Sequence, residues 1–131
     1  MASILEEIPL PASPADVWAA VRDVGAVHRR LAPGFVTDVR LDQNARVVTF
    51  ANGAVVRELI VSIDDAARRL AYSASGGRAA HHNASMQVLD GPEGSTRLLW
   101  HTDVLPDDAA TVIRGMVDQG IRAIQRQFAP K

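Results

Sequence analysis

Residues 107–128, DDAATVIRGMVDQGIRAIQRQF, form the longest helical pattern in the chain, and the rest of the sequence reads as its cover. At about 100° per residue, Ala109, Val112, Ile113, Met116, Val117, Gly120, Ile121, Ala123, Ile124 and Phe128 share one half of the cylinder. Arg114, Asp118, Arg122, Gln125 and Arg126 take the other half. Pro106, Asp107 and Asp108 stand at the start, where free amides and the positive end of the helix dipole favour negative charge. Gly120 interrupts the apolar face, at a cost in helix propensity of about 1 kcal/mol relative to Ala. Two readings follow. Another backbone, that of a strand, packs closely there, or the glycine leaves space for a cavity. A cavity predicts that Gly120→Leu raises stability and weakens binding; close packing predicts a loss of stability.

Working outward, 131 residues with 47% hydrophobic content suit a single domain over residues 1–131 with a substantial core. The formal net charge is −1, and the interspersed charges form no basic stripe. That pattern disfavours nucleic acid and anionic membrane surfaces as partners. No apolar run is long enough for a membrane span, and MASILEEIPL lacks the basic start and apolar length of a signal peptide. The expectation is a soluble cytoplasmic protein without membrane insertion, monomeric or weakly dimeric. The absence of cysteine removes disulfides, thiolate nucleophiles and cysteine metal sites. Lys131 is the only lysine, which argues against Schiff-base chemistry in a buried pocket.

From the amino end, Ile4 to Leu10 alternates as a half-buried strand does. Ser13, Pro14 and Asp16 then give a helix start, with Ser13 as N-cap and Pro14 at the first helical position. Val17, Trp18, Val21 and Val24 are its apolar stripe. A second short helix is expected over AVHRRLAP, stopped by Pro33 and Gly34. Six strand patterns follow: FVTDVRL, ARVVTFA, AVVRELIVSI, RLAYSAS, HHNASMQVL and STRLLWHTDVL. Turns at Asp42 to Asn44, Asn52-Gly53, Asp64-Asp65, Gly76-Gly77 and Asp90 to Gly94 separate them. Short connections imply an antiparallel meander. In the last hairpin His82, Ala84, Met86 and Val88 share one face, as do Leu98, Trp100, Thr102 and Val104 on its partner. The long helix is the available cover for that face, giving an α+β fold of about seven strands, two short helices after the first strand and a terminal helix across a curved sheet.

The order of elements, the opening IPLPASPADVWAAV, the run VRELIVSIDDAARRLAYSASGG and the hairpin ending STRLLWHTDVLP resemble the polyketide cyclase/dehydrase-like branch of the START/Bet v 1 (SRPBCC) superfamily. The resemblance spans nearly the whole chain. It implies a helix-grip fold, in which the sheet wraps the C-terminal helix around a pocket for apolar or amphipathic small molecules. Some members of that superfamily are cyclases or aromatases, and many are binders or carriers. RELIVSIDDAARRLAYSASGGRAAHHN is also similar to a stretch of the plant abscisic-acid receptors, and by that likeness Glu58, Tyr72, Ala74, Ala84 and Met86 line the pocket, with Gly120 on the long helix. The chain departs from those receptors at Ala32, which stands near the position of their ligand-binding lysine, and NGAVV replaces their gate loop.

Alternation supports Ala84 and Met86 and disagrees over Glu58. Val55, Leu59, Val61 and Ile63 are more apolar than the set containing Glu58, so simple alternation turns Glu58 outward, to pair across the strand with an Arg, unless the strand is bulged or buried on both faces. The resemblance turns it inward, with Ser62 beside it as a second polar group. His81 and His82 are adjacent in a strand, point to opposite faces and cannot chelate one ion. No metal or cofactor motif is present. The candidate ligand-binding residues are Glu58, Tyr72, Ala74, His82, Ala84, Met86, Trp100, Thr102, Met116 and Gly120, for a small hydrophobic ligand. Should the pocket be catalytic, Glu58, His82 and Tyr72 are the candidates for proton transfer in a cyclase or dehydratase. For His82 the alternative is a structural histidine near a strand end, and for Tyr72 a wall aromatic. A protein-interaction module is a third reading and needs an exposed apolar patch.

Overall fold

The computed structural model describes residues 2 to 75 and 80 to 130. The turn expected at Gly76-Gly77 lies outside the described residues, as does Lys131. Seven strands are present: β1 (Ala2–Leu10), β2 (Val36–Asp42), β3 (Ala45–Phe50), β4 (Val55–Asp64), β5 (Arg69–Ser75), β6 (His81–Asp90) and β7 (Thr96–Leu105). They form one curved sheet in the order β1-β7-β6-β5-β4-β3-β2, antiparallel at every pair. The meander from β2 to β7 follows from its short turns, and β1 closes the order by pairing with β7.

Helix α1 (Pro14–Arg22) begins as its sequence demands, with the Ser13 hydroxyl accepting from the Asp16 amide at 3.2 Å. The Trp18 indole and the Arg22 guanidinium both donate to Asp65, at 2.9 and 2.8 Å, which pins α1 to the β4–β5 turn and holds the Asp65 carboxyl below the usual carboxylate range. The second expected helix is only one wide turn, Val27–Leu31, closed by the Ala32 amide on the Val27 carbonyl at 2.8 Å. Pro33 and Gly34, the latter at φ +90°, keep it from extending. The long helix α2 runs Ala110–Gln127 after a tight turn at Asp107–Ala109. Its buried face is Ile113, Val117, Gly120, Ala123 and Ile124, the half anticipated from periodicity.

The inner face of the sheet also follows the pattern. Met86 lies opposite Trp100, Ala84 opposite Thr102 and Val88 opposite Leu98. All six are buried. Along β7, buried and half-buried positions alternate without a break from Thr96 to Leu105. The fold is therefore the helix-grip arrangement, with α2 lying across the concave side of a seven-stranded sheet.

Candidate functional site

A cavity of about 720 Å³ lies between the inner face of the sheet and α2. Pockets for drug-sized molecules span roughly 300–1,000 Å³. Its wall is mainly apolar: Leu31, Phe35, Val48, Phe50, Val56 and Met86 from the sheet and its connections, and Ile113, Met116, Val117 and Ile124 from α2. Of the residues singled out from sequence, the structure places Glu58, Tyr72, Ala74, His82, Met86, Trp100, Thr102, Met116 and Gly120 around this space. Ala84 differs. It is buried on the same face, but its methyl group sits between the directly paired Tyr72 and Thr102, both longer, and does not reach the lining. Ala32 lines the cavity and brings no charge.

Glu58 faces inward, 8% exposed. Simple alternation misread this strand because its outward set is apolar and yet exposed, with Val55, Leu59 and Val61 at 53%, 36% and 61%; a register shift between Ile60 and Ser62 changes only the residues beyond it. Before the shift Ile60 opposes Tyr72; after it Ile63 opposes Leu70, so Ile60 and Ile63 share the inner side although they are an odd number apart. Ile63 thus leaves the outward apolar set by register, although it is itself 38% exposed. Ser62 opposes Ala71, stands on the outer side and is exposed, so it is not a second polar group beside Glu58.

The partner of Glu58 is Arg46, directly opposite on β3. The Arg46 Nε donates to Glu58 Oε1 at 2.7 Å, with side-chain exposures of 6% and 10%. Pairing with an arginine across the strand was the outward alternative; the pair exists, but it is buried. Arg46 further donates to the Val24 carbonyl at 3.4 Å, and its guanidinium carbon lies 5.1 Å from the centre of the Tyr72 ring. Sequence reasoning missed Arg46, although a signal was there. Counting six residues either way from Asn52 in the β3–β4 turn reaches Arg46 and Glu58, and that turn fixes the register.

Tyr72 extends the polar strip. Its hydroxyl accepts from the Trp100 Nε1 at 3.2 Å, and burial, with the Glu58 charge adding to it, pushes the phenol well above its ordinary pKa. The phenol stays protonated, with a hydrogen to donate. Because Ser73 pairs with Asn83, Ala74 and His82 are inner-face neighbours, and the small Ala74 leaves room between Glu58 and His82. Burial lowers the His82 pKa, and the neighbouring His81 lowers it further, so the imidazole on the wall is neutral at neutral pH. Among the described residues no group of three or more His, Asp or Glu side chains is placed to hold a metal ion.

The far end of the Trp100 ring explains the glycine. A Cβ built on Gly120 would stand 2.8 Å from Trp100 Cη2, 2.9 Å from its Cζ3 and 3.1 Å from Phe35 Cε2. Gly120 borders the cavity, yet no side-chain space exists at its own Cα, because an indole edge occupies it. The close neighbour is an aromatic ring rather than a strand backbone. Trp100 is held at both ends, by Tyr72 on the sheet and by the notch at Gly120 on the helix. The increase in stability that an open cavity implies for Gly120→Leu is therefore reversed. Overpacking costs about 1–3 kcal/mol and outweighs the roughly 1 kcal/mol gained in helix propensity. Gly120→Leu is expected to melt below the unmodified protein in a thermal scan; a higher melting temperature would show that the ring moves freely aside.

The fold recurs in solved structures. An uncharacterised protein from Bacillus thuringiensis superposes with a TM-score of 0.87 at 17% identity, covering 98% of this chain and 100% of its own. The protein XoxI from Bacillus cereus gives 0.86 at 20% identity, covering 98% and 96%. Norcoclaurine synthase from Thalictrum flavum, in complex with dopamine and hydroxybenzaldehyde, gives 0.68 at 19% identity, covering 95% and 84%. At these identities the likeness establishes the fold alone. No functionally curated protein matches the chain in sequence. The family model for polyketide cyclase / dehydrase and lipid transport proteins matches residues 1–129, and the chain, with the grip fold and cavity described above, belongs to that family.

Proposed function

We propose that the protein binds or carries a small hydrophobic or amphipathic molecule in the cavity between the sheet and α2. The observation that carries this reading is the wall itself: a space of about 720 Å³, bounded largely by Val, Leu, Ile, Phe and Met side chains, with polar groups confined to Arg46, Glu58, Tyr72, His82, Thr102 and Asn52. Burial of a ligand's apolar surface drives such binding, while a few placed polar atoms set its orientation. The family's description includes lipid transport. Norcoclaurine synthase, of like fold, forms a complex with dopamine and hydroxybenzaldehyde. We place this activity in the cytoplasm, on a monomer or weak homodimer of one domain, since an absence of cysteine fits a reducing compartment. No helix among the described residues is long and apolar enough to cross a membrane.

Chemistry of the cyclase or dehydratase type is the second reading, favoured by one observation, the neutral His82 imidazole on the cavity wall. Tyr72 and Glu58 are then its proton partners. The interaction-module reading comes third: Leu5 and Leu41 are exposed at opposite edges of the sheet, while Val55, Leu59, Val61 and Ile63 are exposed along β4 and are the patch such a module would use.

Tryptophan emission tests the binding reading. Trp100 lines the cavity and Trp18 is committed to Asp65 on the far side of α1, so Trp18→Phe isolates the reporter. Titration with apolar dyes, fatty alcohols and aromatic compounds is expected to change the Trp100 emission saturably. If no class does so, the pocket reading fails. Turnover of a poly-β-keto mimic that disappears in His82→Ala while binding survives would instead establish the enzyme.

A further inference from the structure

We infer that the cavity selects uncharged amphiphiles, alcohols and phenols in particular, over the carboxylates of the same shape. This rests on the binding reading above and names its ligand class. The opposed charges on the wall are Arg46 and Glu58, and they are already spent on each other at 2.7 Å. The guanidinium has two further commitments, the Val24 carbonyl and the face of Tyr72. Among the described lining residues an entering carboxylate meets a net charge of zero and a fixed carboxylate close to the one cation, Arg46. Taking Arg46 for itself would strand Glu58 unpaired inside the protein, which is among the costliest changes a buried pair can undergo. Ala32, on the same wall, adds no positive charge, and the His82 ring is neutral at neutral pH.

The remaining groups suit a neutral polar head. The Tyr72 hydroxyl already accepts from Trp100, so its own hydrogen is the one it can offer to a ligand oxygen. The Thr102 hydroxyl, which makes no side-chain hydrogen bond among the described residues, and the neutral His82 ring can each donate or accept. An alcohol or phenol needs one donor and one acceptor and loses little on leaving water. A carboxylate loses a full ionic hydration shell and finds no free cation among the described lining residues to replace it.

Calorimetric titration of the full chain at neutral pH with 2-naphthol and 2-naphthoate, and then with decan-1-ol and decanoate, separates the possibilities. The uncharged member of a pair is expected to bind at least about tenfold more tightly, a ratio equal to one decade in Kd. A carboxylate that binds as tightly as its alcohol or phenol overturns the selectivity and leaves the pocket reading standing. Failure of all four to bind brings down the pocket reading, and the selectivity with it. Glu58→Gln frees Arg46, so the preference is expected to move toward naphthoate by about tenfold or more; an unchanged ratio contradicts the inference. Should that variant not fold, Arg46→Met with Glu58→Leu removes both charges. The discrimination against naphthoate must then persist, and its disappearance also overturns the inference.

Discussion

Arg46→Met is expected to destabilise the protein by about 3–5 kcal/mol, the usual result of removing one partner from a buried ion pair. Glu58 stays at 8% exposure with no counter-ion, and the contact of the guanidinium with the Tyr72 ring is lost as well. For a chain of this size that loss corresponds to a fall in melting temperature of roughly 10 °C or more. The loss arises from the stranded carboxylate, not from any large net stabilisation by the pair. Adding Glu58→Leu to Arg46→Met is therefore expected to recover most of the stability, since two apolar side chains of similar volume replace the pair at little cost. Urea unfolding of the two variants measures both effects. A single variant within about 1 kcal/mol of the parent would mean that water reaches Glu58 freely.

Removal of α2 is expected to abolish cooperative folding. Ile113, Val117 and Ile124 are buried on the helix, and each contributes about 1.5–3 kcal/mol on burial. Their sum is of the same order as the 5–15 kcal/mol by which whole domains are stable. The inner face left behind includes Trp100, Met86 and Val104, which would be exposed together. A chain ending at Pro106 should show no sharp thermal transition and should bind apolar dyes nonspecifically. A sharp calorimetric transition in that truncation would contradict the arrangement of helix over sheet.

How much was legible in the sequence depended on how local each cause was. The β6–β7 hairpin alternates over ten paired positions, so its inner face could be assigned residue by residue. The apolar half of α2 was equally plain, since a helical period repeats the same information several times. Glu58 was ambiguous because the outward positions Val55, Leu59 and Val61 are apolar and yet exposed, so composition pointed to the wrong face, and the register shift near Val61 reverses parity only beyond it. Arg46 was recoverable only by counting back through the Asn52-Gly53 turn. Gly120 marked a real constraint, but its cause is an indole edge on β7, twenty residues away along the chain, and local spacing holds no trace of which side chain arrives. The cavity is legible least of all, since its volume is what remains after long-range packing.

The central claim is that a small molecule binds between the sheet and α2, beside Trp100. The two indole N–H resonances in a nitrogen–proton correlation spectrum test it most directly, because Trp100 Nε1 donates to Tyr72 within the cavity and Trp18 Nε1 donates to Asp65 outside it. On titration with 2-naphthol or decan-1-ol, the Trp100 signal is expected to shift saturably while the Trp18 signal stays in place. A saturable shift confined to Trp18, or no shift at either indole with every ligand class tried, would contradict it.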